Sequence, residues 1–79
     1  MRKLYEALKS KCESEIKEAE FSLSLCFKSP TAIGEHTAEH LFNEAYQSLD
    51  KLTSAKDRLQ NLEEFFTEID EEVLNSVNS

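Results

Sequence analysis

Residues 36–77 read HTAEHLFNEAYQSLDKLTSAKDRLQNLEEFFTEIDEEVLNSV. Within them Ala38, Leu41, Ala45, Leu49, Leu52, Ala55, Leu59, Leu62, Phe66, Ile69 and Val73 recur at steps of three and four. That spacing draws one apolar stripe along a helix, close to the period of a coiled-coil seam. No Pro or Gly interrupts it, and the faces between are mostly Glu, Asp, Lys, Gln, Asn and Ser. At about 1.5 Å per residue, 40 residues make a rod of roughly 60 Å. A rod with an apolar stripe needs cover in water, and the rest of the chain is read as what covers it.

Upstream, Tyr5, Leu8, Cys12, Ile16, Ala19, Leu23 and Cys26 step in the same way, with Leu4, Phe21, Leu25 and Phe27 widening the stripe. The alternating stretch FSLSLCF (residues 21–27) imitates a strand, but the helical stripe passes through it in register. A lone strand would also lack a partner. The spacing predicts a helix over about residues 3–28, a connector over 29–36 and a helix over 37–75. Ser29-Pro30 stops the first helix, because the residue before proline avoids the α region and proline has no amide to donate. Gly34, the single glycine, suits a backbone angle that other residues resist. Thr37 is the expected N-cap of the second helix, with Glu39 in its first turn.

Two long helices on a short connector give an all-α antiparallel hairpin, a single domain over residues 1–79. Facing positions then add to roughly 66, which sets Cys12 against Ala55, Ala19 against Ala45 to Leu49, and Arg2 and Lys3 beside Glu63 and Glu64. The first helix runs out where Phe65 and Phe66 begin. Phe65, Phe66, Ile69, Val73, Leu74 and Val77 are the expected interface residues, and the hairpin is expected to pair with a second copy into a four-helix bundle.

The chain has 79 residues and a net charge of −7. A domain this small is marginal alone and usually gains a disulfide, a metal or a partner. Cys12 and Cys26 lie about 21 Å apart on one helix, beyond the roughly 7 Å a disulfide spans, so both read as reduced core residues. The start, MRKLYEALKSK, has no apolar signal-peptide core, and no run approaches the length of a membrane span. A cytoplasmic protein without a membrane partner is expected. Residues 1–28 hold six bases and five acids; residues 29–79 hold three bases and eleven acids. No basic face is available to displace counterions, so no direct nucleic-acid binding is expected.

Chemistry has few footholds. His36-Thr37-Ala38-Glu39-His40 matches the H-x-x-E-H zinc-peptidase pattern, but a two-helix chain offers no enclosed cleft to hold a peptide. The residues read more simply as a capped helix start, and neither enzyme activity nor a cofactor is expected. Cys26, His36 and His40, with Glu35 and Glu44 nearby, form the candidate metal set at the hairpin end, where Cys/His ligation suits Zn²⁺. Glu63, Glu64, Glu68, Asp70, Glu71 and Glu72 run without a base. They read as a solvated face, although acids at a helix C-terminus oppose its dipole.

The stretch Ala32-Ile33-Gly34-Glu35-His36, followed by a long amphipathic helix ending Leu59-Gln60-Asn61-Leu62-Glu63-Glu64-Phe65-Phe66, resembles small uncharacterised all-helical proteins of marine T4-like bacteriophages. The resemblance implies the cytoplasm of an infected bacterium and carries no activity. Three expectations stand together: a homodimeric, non-enzymatic interaction or structural module with an acidic surface for a host or viral protein; a Zn-binding module at the hairpin end; and an acidic nucleic-acid mimic or inhibitor.

Overall fold

The computed structural model describes residues 2–28 and 35–78, with side chains described for 2–28 and 38–71. The described residues form two helices, α1 (Arg2–Lys28) and α2 (Glu35–Asn78), and no strand. FSLSLCF is helical, since a strand there would have had no neighbour to take its backbone hydrogen bonds. Most of the expected connector, with Pro30 and Gly34, lies outside the described residues. Its last two positions do not: α2 already includes Glu35 and His36. Thr37 is therefore inside the helix and is not its cap. Glu39, near the helix start, suits the positive end of the dipole. The far end passes the expected stop at residue 75 and reaches Asn78.

The molecule measures 68 × 15 × 13 Å. A helix of α2's length spans about 66 Å and one of α1's about 40 Å, so α2 sets the long axis and α1 lies beside it. Contacts fix the direction. Tyr5 stacks on Phe66 with ring centroids 4.0 Å apart. Further along, Arg58 donates to Glu15 at 3.4 Å. At the other end, Cys26 shares a groove with Leu41 and Glu44. Rising numbers on α1 meet falling numbers on α2, so the helices are antiparallel.

The core is made of small side chains. Cys12, Ala19 and Ala55 are its buried apolar residues, joined by Ser48. Ala55 is 0% exposed, yet none of the larger described side chains is fully buried. Ala19 and Ser48 line one groove, and their numbers add to 67, as do those of the buried Cys12 and Ala55. Small against small at these levels lets the two backbones approach closely. Contacts between long side chains fall further along, as in Tyr5 with Phe66, because each side chain leans toward the N-terminus of its own helix.

Leu49 departs from the expected seam. The stripe assigned it to the core, but it is 49% exposed and Ser48 takes the inward place. One residue on a helix is a turn of about 100°, so a one-step drift of the stripe exchanges an inward side chain for an outward one. Ile16, Leu23, Leu41, Leu52, Leu59 and Leu62 flank the seam and are half-buried. Two helices make one layer, with a seam and two open faces, where a stable domain ordinarily has a second layer to cover them.

Candidate interaction surfaces

Three regions carry features beyond the seam. The first is the end where α1 starts. Arg2 sits over the Phe66 ring, its guanidinium carbon 5.7 Å from the centroid, while Tyr5 stacks on the same ring. Phe66 is therefore half-covered within the chain, which corrects the expectation that it lacks intrachain cover. The reason is reach. Tyr5 leans back along α1 and Phe66 leans back along α2, so the rings meet beyond the level of their own Cα atoms. Arg2 is thus found on an aromatic face. Phe65, one residue earlier, points outward and is 61% exposed. It lines an open groove of about 610 Å³ with Leu8, Cys12 and Leu62, bordered by Arg58 and Glu68. Ile69 is half-buried. The side chains of Val73, Leu74 and Val77 lie outside the described residues, on backbone that is helical to Asn78.

The second region is the opposite end. Cys26 is a half-buried free thiol, and Cys12 is a buried one. His40 is exposed and meets Glu44, Nε2 to Oε1 at 3.3 Å, across one turn of α2. His36, the third member of the candidate metal set, has its side chain outside the described residues. Among the described residues no group of three or more His, Cys, Asp and Glu is gathered for a metal. Nor, among them, is any helix long and apolar enough to cross a membrane.

The third region is the pair of outer faces, turned away from the seam. On α2 the row Tyr46, Thr53, Gln60, Thr67 runs beside the row Asp50, Asp57, Glu64, Glu71, and all eight are exposed. The threonines are satisfied within the helix: Thr53 Oγ1 donates to the Leu49 carbonyl at 2.9 Å and Thr67 Oγ1 to the Glu63 carbonyl at 2.8 Å. Gln60 donates to Glu64 at 3.1 Å. Phe42 and Tyr46 stack one turn apart, centroids 6.3 Å, and are 68% and 66% exposed. On α1 the corresponding rows are Lys3, Ser10, Lys17, Ser24 and Ala7, Ser14, Phe21, Lys28, again all exposed. The α2 rows carry acids without a base; the α1 rows carry lysines, with Glu13 and Glu18 beside Lys17 and Phe21 along one groove.

Composition suggested the basic start and acidic end; it did not show that the charges separate onto opposite edges. That separation was readable in the seven-residue spacing of the charges, once the inward rows were known. No family model, curated protein or solved structure matches the chain.

Proposed function

We propose that the protein is a non-enzymatic helical interaction module that pairs with a second copy into a four-helix bundle and presents an acidic surface to a further protein. The observation that carries this reading is the overhang. Arg2, the first residue of α1, lies over Phe66, while α2 runs on to Asn78. That is about 18 Å of helix with no α1 beside it. The sequence keeps its apolar steps there through Ile69, Val73 and Val77. Burying such side chains is worth roughly 1.5–3 kcal/mol each, so Ile69, Val73, Leu74 and Val77 supply on the order of 5–10 kcal/mol per protomer. Association costs about 4–15 kcal/mol, so more apolar area is needed. Leu4, Leu8 and Phe65, exposed at the same end, offer it. A two-fold axis closes such a patch on itself.

Light scattering of the intact chain is the test. The expected mass is twice that of the protomer, and Phe65→Glu with Ile69→Glu should lower it. A stable helical monomer at high micromolar concentration would overturn the dimer. The same variants then serve to map the strip as a docking site for a different protein.

A further inference from the structure

The two outer faces fit one another in the stagger the chain already uses. Inside the protomer, Ala19 and Ser48 share a groove and add to 67, as do the buried Cys12 and Ala55. Let the outer face of α1 of one copy lie antiparallel against the outer face of α2 of another, in that same stagger. Phe21 then comes level with Tyr46, and Leu25 with Phe42. All four have about half or more of their surface in water within the protomer. Lys17 comes level with Asp50, and Lys3 with Glu64. Each lysine leans toward its own N-terminus, which carries it on toward the next acid of the row, Asp57 or Glu71. Lys3 and Lys17 lie on one row of α1 and Phe21 on the next, facing the Asp50 and Tyr46 rows of α2 in the order an antiparallel coiled coil uses, while Leu25 and Phe42 lie at the edge of the two faces.

We infer that this is a second self-contact: the basic outer face of α1 in one copy docks on the acidic, aromatic outer face of α2 in the next. The occupant is a second copy of this chain, because the chain itself holds both complementary halves in matching register. A basic helix from another protein would match the acidic half alone and would leave the lysine face unexplained. The contact joins different surfaces of the two copies, so it does not close on itself and extends into a row. It rests on reading the chain as a self-associating module, but the positions at which it is tested, Lys17, Asp50 and Asp57, are remote from the overhang.

The contact is small. An aromatic side chain buries about 150–250 Å² when fully covered, and the four apolar residues are already part-covered, so together they bring on the order of 400–500 Å². A stable interface needs roughly 1,000 Å², and the lysine stems must add the remainder. Growth should therefore appear only at high protein concentration, and salt should suppress it by screening the exposed pairs.

Sedimentation velocity of the full chain over a concentration series, at low and at high salt, tests this. The wild type should pass beyond the dimer mass as concentration rises at low salt and fall back at high salt. Lys17→Glu should weaken that growth roughly tenfold, by replacing an attraction with a repulsion. Asp50→Lys with Asp57→Lys should do the same from the other side. The three changes combined should restore growth, since the same positions then pair with their polarity reversed. Circular dichroism checks that each variant stays helical; all three positions are exposed, and either side of the swap alone suffices for the test. A wild type that never exceeds the dimer, or charge reversals without effect, or a combined variant that does not recover, would overturn the inference. Ile69→Glu separates the two readings. It should remove the overhang dimer and leave the salt-sensitive growth; a dimer that persists at high salt in this variant would sink the overhang reading alone.

Discussion

Ala55→Leu is the sharpest probe of how this protein is held together. Ala55 is 0% exposed and Cys12, in the same seam of small residues, is 8% exposed. Leucine adds three carbon atoms at a position shut off from solvent. The helices must separate there, or the new side chain must leave its rotamer, and such overpacking costs about 1–3 kcal/mol. A core this size rarely supplies more than about 3–5 kcal/mol in all, so the loss is a large share of the stability. For a domain of this length each kcal/mol moves the melting point by about 4–8 °C, giving an expected fall of about 5–20 °C. Thermal unfolding followed by circular dichroism at 222 nm reads it directly, with urea unfolding as the second measure. Lys56→Leu, the same side chain one residue on at an exposed position, is the control and should change stability by no more than about 0.5 kcal/mol. Equal melting curves for wild type and Ala55→Leu would refute a seam built on small residues, and with it the stagger that defines the outer faces.

Other expectations follow from the same geometry. A double-mutant cycle on Tyr5→Ala and Phe66→Ala should give a coupling of about 0.5–1.5 kcal/mol for the stacked rings, and a coupling of zero would remove the clasp at that end. Arg58→Ala should cost less than about 1 kcal/mol, since its pair with Glu15 is solvent-accessible; a larger loss in chemical denaturation would mean the guanidinium packs more than it pairs. Half-buried Cys26 should react with a thiol reagent faster than buried Cys12, and non-reducing mass spectrometry should find no intrachain disulfide. Elemental analysis of purified protein tests the metal set. Stoichiometric Zn²⁺ that disappears in His40→Ala would bring Cys26, His36 and His40 together as ligands.

The helices themselves were legible in the sequence because a helix is a local object. Its period shows in the spacing of Leu41 to Ile69, and its stop signal stands at Ser29-Pro30, both carried by neighbouring residues alone. That Cys12, Ala19 and Ala55 turn inward was legible too, because all three lie on the apolar stripes of their helices. What the sequence left open was the last turn of rotation. It placed Leu49 inward and Phe66 uncovered, whereas packing buries Ser48, exposes Leu49 and folds Tyr5 and Arg2 onto Phe66. A periodic stripe is wider than the line along which two helices touch, so composition cannot say which residues of the stripe lie on that line. Contact distance decides it, through the small side chains that permit approach and the lean of the large ones. The separation of lysines and acids onto opposite outer faces depends on the same rotation. Every charge in it was present in the sequence, and only the packing of α1 on α2 determined which charges were left facing out.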